Sequence, residues 1–401
     1  MVFISETSDD GSNVGDPTKN PQQEQEDNQN ENPQQVEENP QEVEENLPPI
    51  PQEVPEELIE STVALVRSCH YPSLSLLSKA FRRVISSPGL YHSRLLLGLT
   101  DPVLYALIGF SPYNTTRLYI LNRNIPRNIS LRLSLIGSLP PLNHGSAVVT
   151  IGYDMYVIGG HNHQYKPTSD VFIIDLRFHT RISLPGMKRR RVNAAAEVID
   201  GRIYVIGGCA KLNDHWIEVF DIENRTWSTV PDPDHNNSSL RGGGFLTCVV
   251  MQEMICILDT LFGFSYEPRQ GLWQSIGLET QLNLHWKVSC VIEDLLYCID
   301  PRLGHRIVVY DLNELVWRPV MGAYVLPDFC YNQCKMANFG GKLVILGSVK
   351  SSLHGLEDVW YLEIALEKRQ GGEIWGKVDS LEIVLRSVNS PSIDLLRSVT
   401  F

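Results

Sequence analysis

A mainly β repeat array, headed by a short helical region, is the fold class this sequence predicts. Three observations carry it. The phrase MYVIGG at 155–160 returns as IYVIGG at 203–208, 48 positions further on. From residue 101 onward, apolar runs of period two recur about every fifty residues, whereas 55–97 carries the three-and-four spacing of helices. A fixed period of this size marks one architecture built from stacked supersecondary units.

The chain opens on an acidic segment. Residues 1–46 hold thirteen carboxylates and one lysine, so the formal charge of −13 leaves the other 355 residues near −1. With Phe3 as its only aromatic, this stretch cannot bury enough apolar surface to offset ordering its backbone, and it is expected to be disordered. NPQQVEE (32–38) is duplicated as NPQEVEE (39–45), with one apolar position and a proline in each copy, which excludes a coiled coil. The nearly neutral remainder offers no field for nucleic acid. No basic-then-apolar opening resembles a secretion signal, and no run is long enough to span a membrane. Eight scattered cysteines, several inside apolar runs, read as free thiols of a reducing compartment. The expected location is cytoplasmic, nuclear or both.

Residues 55–97 read as three helices. Pro55 and two glutamates make a good first turn, after which Leu58, Ile59, Thr62, Val63 and Val66 fall on one face. Tyr71-Pro72 breaks this helix. A second, 73–86, starts at Ser73 as cap and lines up Leu74, Leu77, Phe81 and Val84/Ile85, and 87–99 gives a further short helix. A core this small calls for support from a neighbour or a partner.

The array follows. Aligned on Tyr-x-x-Gly, the units begin at LYALIGF (104–110), MYVIGGH, IYVIGGC, ICILDTL (255–261), LYCIDPR (296–302) and LVILGSV (343–349). An apolar run precedes each of the last five, a third run such as DVFIID (170–175) or IEVFD (217–221) follows, and a fourth carries Trp227, Trp273, Trp317 or Trp375. That is four strands per unit. The pairs Gly159-Gly160 and Gly207-Gly208 allow left-handed turns and close approach of neighbouring sheets. With a double glycine followed by Tyr and Trp, residues 101–390 resemble the kelch repeat, which implies a β-propeller, here of six four-stranded blades. Arg181 stands where the second unit should have Trp, and the first unit lacks an opening strand. SLEIVLRSV (380–388) is expected to complete it and close the ring, leaving 391–401 as a tail.

In front of such an array, 47–98 resembles an F-box: Val54-Pro55-Glu56-Glu57, Tyr71-Pro72, Ser78-Lys79-Ala80-Phe81-Arg82 and Ser87-Pro88-Gly89-Leu90-Tyr91 match its elements in order, with Val54 where Leu is usual. The resemblance implies an SCF-type ubiquitin-ligase adaptor. A Skp-family protein, and through it a cullin, would dock on Pro55, Leu58, Ile59, Val63, Leu74, Leu77 and Phe81, while the propeller holds a protein substrate. It implies no catalytic residue, metal or cofactor. Loops between second and third strands, and between blades, would form the substrate face. Its candidates are His161, His163, Tyr165, Arg189, Arg190, Arg191, His215, Arg241, Arg302 and His305, with Lys188–Arg191 as half of an acidic-substrate pocket. The other reading is a kelch scaffold that binds ligands without a ligase.

Overall fold

The computed structural model describes residues 54–110, 115–123, 131–209, 216–230, 247–258, 263–275, 288–300, 303–324, 326–350, 357–387 and 389–400. The acidic tail expected at 1–46 lies outside them. Helix α1 (Glu56–Ala64) starts on Pro55 with two acids in its first turn. A 3-10 turn, Ser68–His70, leads into the single-turn helix α2 (Tyr71–Leu74), followed by α3 (Lys79–Ile85) and α4 (Pro88–Leu96). Ser73 is therefore not a cap. Pro72 sits in the first turn of α2, where its missing N–H costs nothing, and the cap of α3 is Ser78, whose hydroxyl accepts from the Phe81 amide at 3.2 Å.

Six antiparallel blades follow, each four strands deep. The first contains β1 (Pro102–Phe110), β2 (Thr115–Arg123) and β3 (Leu131–Leu135), with the short β4 (Leu142–Asn143) also pairing β2. Blade two is β5–β8 (Ala147–Ile151, Asp154–Ile158, Val171–Asp175, Thr180–Leu184). Blade three is β9–β12 (Ala195–Ile199, Arg202–Ile206, Ile217–Asp221, Thr226–Val230). Blade four is β13–β16 (Thr247–Met251, Met254–Leu258, Gly263–Glu267, Leu272–Ser275), and blade five is β17–β20 (Ser289–Ile292, Leu295–Asp300, Arg306–Asp311, Val316–Pro319). Blade six is β21–β24 (Lys335–Phe339, Lys342–Lys350, Glu357–Lys368, Ile374–Ser387). The last strand, β25 (Pro391–Thr400), returns to pair β1.

Closure thus uses a different segment from the one expected. Residues 380–388 do not complete blade one; through Ser387 they belong to β24, paired with β23 from Glu357↔Ser387 to Lys368↔Ile374. Of the expected tail, Pro391–Thr400 is instead the innermost strand of blade one. Its alternation is hidden in the sequence because the register with β1 jumps from Leu107↔Leu395 to Ile108↔Ile393, leaving Asp394 as an extra residue in a β-bulge. Ile393 and Leu396, three apart across the bulge, therefore enter one core cluster, while Val399 enters the neighbouring one from the other face, so the buried positions leave the simple period of two.

The blade aromatics repeat closely. Phe220–Trp227, Tyr266–Trp273 and Tyr310–Trp317 are cross-strand pairs with centroids 5.0, 4.8 and 5.0 Å apart and planes 40–43° apart. In blade two the guanidinium of Arg181 lies 3.6 Å from the Phe172 ring, so a cation over an aromatic face stands in for the missing Trp. Trp375 is not the equivalent in blade six. The register places Val378 opposite Ile364 at that position, and Trp375 lies three residues earlier, on the extended part of the hairpin, under Arg369 at 4.2 Å. At the second blade's glycine pair, φ is +68° and +90°, and a Cβ on Gly159 would come within 2.5 Å of the Arg191 carbonyl oxygen. This glycine is what allows the chain between blades two and three to lie against the strand end.

Candidate partner-docking surfaces

The helical unit has an inside and an outside that its sequence spacing only partly separates. Ile59, Val63, Ala64, Tyr71, Val84 and Leu90 are buried together, with Leu74 and Phe81 half-buried against them. Of the positions expected to meet a Skp-family protein, Ile59 and Val63 therefore face inward, while Pro55, Leu58 and Leu77 are exposed. Leu58 and Leu77 are joined on the exterior by Leu76, Leu95, Leu96 and Leu97, all more than half exposed. So many bare leucines in so few residues leave an apolar surface that no described residue of this chain covers.

Arg94 is the residue that sequence reasoning missed. It follows Leu90 by one helical turn and so shares its inward face. Its guanidinium is buried and donates to the carbonyls of Ala64 (3.0 Å) and Val66 (2.6 Å), which the end of α1 leaves unpaired, and to Asp101 at 2.9 Å. Asp101 stands immediately before β1, so one side chain ties two helices to the first blade. A second tie is aromatic. Tyr91 of α4 meets Phe178 edge-to-face at 5.8 Å, and Arg177, held by Asp175 at 2.7 Å, lies over the rings of Tyr153 and Tyr91. These residues sit at the turn ends of β5–β6 and β7–β8.

The Gly159-Gly160 loop leaves the opposite end of β6. The strand between spans five residues, roughly 17 Å, so the helices and the expected substrate face occupy opposite ends of the ring. On that face His161 is half-buried, its amide bonded to the His144 carbonyl at 2.9 Å, while His163, Tyr165 and Arg190 are exposed. Arg189 is half-buried, and His305 stacks on Tyr331 with centroids 4.0 Å apart. His215, Arg241 and Arg302 lie outside the described residues.

Arg191 does not belong to the exposed set. Its side chain is 1 % exposed and paired with the fully buried carboxylate of Glu218, at 3.0 and 3.2 Å. It also donates to the carbonyls of Gly207 and Trp216. The remaining acceptor capacity of Glu218 takes the backbone amides of Lys188 (2.7 Å) and Arg189 (3.1 Å). The signal was present in the sequence as Glu218, a carboxylate flanked by apolar residues in the middle of the strand IEVFD, which calls for a cationic neighbour when buried.

The innermost strands, β5, β9, β13, β17, β21 and β25, enclose a central channel of about 740 Å³. Two ion pairs bridge it to the closing strand: His144 Nδ1 lies 2.8 Å from the bulged Asp394, and Arg397 lies 3.6 Å from Glu197. Burial pushes the Glu197 carboxyl up, against the pull of Arg397. The hydrogen bond to Asp394 raises the His144 pKa above its ordinary value of 6.5. A raised folded-state value means the clasp contributes most below pH about 6.5 and is lost as pH climbs through the folded pKa. Thermal melts across pH 6–8 should therefore show a declining Tm whose slope is shallower in His144→Gln; parallel slopes would contradict the clasp.

The family model described as the FKB95 kelch-repeats domain matches residues 118–385. Among curated relatives, an F-box/LRR-repeat/kelch-repeat protein of Arabidopsis thaliana is 72 % identical over 405 residues, covering all of both chains. A putative F-box/kelch-repeat protein of the same plant is 56 % identical and an F-box/kelch-repeat protein 48 %, again over the full length of both chains. Six four-stranded blades, the inter-blade glycine turns and these full-length similarities lead to one assignment: the chain belongs to the F-box/kelch-repeat family of plants.

Proposed function

We propose that this chain is a substrate-recognition adaptor of an SCF-type ubiquitin ligase, its helices docking on a Skp-family protein and its propeller holding the protein to be modified. The observation that carries this reading is the exposed leucine surface of a helical unit fastened at the end of the ring opposite the recognition loops. In this arrangement the chain performs no bond chemistry. It raises the effective concentration of a substrate lysine near the conjugating enzyme, and a fixed junction helps because a wandering one would dilute that concentration. The cytosol and nucleus, where such ligases act, suit the buried free thiols, several of which burial pushes to about 12.

The test separates surface from core. Leu58 and Leu96 are exposed, so Leu58→Asp with Leu96→Asp should leave the fold intact. Losing two buried leucine contacts, each about 1.5–3 kcal/mol, should weaken capture by a Skp-family bait at least tenfold. Capture at wild-type strength by a folded double variant would favour a propeller scaffold that works without a ligase.

A further inference from the structure

Two loops of the recognition face are built to a higher standard than a solvated surface needs. The first, between β6 and β7, folds on Asn162: its carboxamide oxygen accepts from the amides of Gln164 (2.9 Å) and Lys166 (3.0 Å), and its carbonyl accepts from Tyr165 at 2.9 Å. This holds Tyr165 at φ +57°, an uncommon conformation for an aromatic residue, and the residue is 62 % exposed. The second loop joins blades two and three and carries Lys188, Arg189 and Arg190. Met187 anchors it in the core, and Glu218 clamps the amides of Lys188 and Arg189 from beneath. Backbone bonds from Arg191 to Thr168 and from Met187 to Ser169, both 2.9 Å, zip the two loops together.

The charges on this platform are unspent. Arg191, the one member of the cluster with a carboxylate partner, is withdrawn into the protein. Lys166, Lys188, Arg189 and Arg190 enter no ion pair among the described residues, and Arg189 Nε is buried without an acceptor. The exposed carboxylate of Asp170 is the single opposing charge on the first loop. An ordered backbone presenting one aromatic and four cations without an ion pair among the described residues has the composition of an interface centre and a lowered entropic cost of binding.

We propose that this platform docks an acidic stretch of the captured protein, with carboxylates meeting Lys166, Lys188 and Arg190 and a side chain lying against Tyr165. The inference deepens the adaptor reading and rests on it for the word captured. A protein segment fits better than nucleic acid, because the cations form one small cluster, on a chain whose formal net charge is −13, rather than a stripe that could follow a phosphate backbone.

The probe is a fluorescein-labelled oligo-glutamate peptide bound to the full-length protein, read by anisotropy at low and moderate salt. Binding should weaken with salt, at least ~tenfold in Lys188→Glu/Arg190→Glu, and measurably in Tyr165→Ala, while melting temperatures stay at the wild-type value. Equal affinity in the charge-reversed variant would overturn the proposal. So would tighter binding of a single-stranded RNA oligonucleotide than of the peptide at the same salt. Capture by a Skp-family bait, measured on the same variants, should not change. Loss of peptide recognition as the error would thus leave that capture intact, whereas an error in the adaptor reading would show as no capture by wild-type protein that still binds peptide.

Discussion

Removing residues 391–401 should leave the protein without a stable propeller. The deletion takes away β25, the innermost strand of the first blade, and with it the pairing from Pro102↔Thr400 to Phe110↔Pro391. Ile393, Leu396 and Val399 are each 2–3 % exposed. At about 1.5–3 kcal/mol apiece they contribute some 5–9 kcal/mol of burial, comparable to the whole stability of a typical domain at about 5–15 kcal/mol. The loss is larger than this sum, because β1 becomes an open edge and both channel clasps, His144–Asp394 and Arg397–Glu197, disappear. The expected result is insoluble or molten protein by circular dichroism, with native-like signal recovered when a 389–401 peptide is supplied in trans. A truncated chain melting within a few degrees of the full one would show that closure contributes little.

That a terminal strand closes the ring was legible from the missing first strand of the first unit; which strand does so was not. SLEIVLRSV alternates cleanly and PSIDLLRSVT does not, because a single bulged residue, Asp394, splits its pattern into two registers. The same limit appears at the aromatic positions. Three Trp were placed by spacing alone, but Trp375, though in the fourth strand, is out of register with them because blade six has third and fourth strands of twelve and fourteen residues where those of blades two to five have four to six, which slides the fourth strand along the third. Periodicity reports what repeats, and it fails where one unit is stretched. The helical unit shows another limit. Spacing gathered Ile59 and Leu58 as one apolar set, and only packing decides that the first is core and the second bare. Charges were the least readable of all. Arg191 and Arg190 are adjacent in a basic run, yet one is buried and the other exposed, and the difference is made by Glu218, twenty-seven positions from Arg191.

Breaking the Arg191–Glu218 pair from one side should destabilise the protein by about 3–5 kcal/mol, more than any exposed charge could. Both side chains are essentially inaccessible, at 1 and 0 %. Arg191→Met leaves a buried carboxylate that keeps only the amides of Lys188 and Arg189 as donors. Glu218→Leu leaves a buried guanidinium with backbone carbonyls at Gly207 and Trp216, and it also releases those two amides. The second variant should therefore be the worse folded and the more damaging to the loop above it. Urea midpoints of the two single variants and of Arg191→Met/Glu218→Leu complete the cycle. Removing both charges abolishes the uncompensated ion, so the double variant should be less destabilised than the sum of the singles by 0.5–3 kcal/mol, about the range seen for contacting residues. It should not return to wild-type stability, because the amides of Lys188 and Arg189 would still lack their acceptor. Strict additivity would mean that the two side chains act independently and that the loop is held by Met187 and its backbone bonds alone.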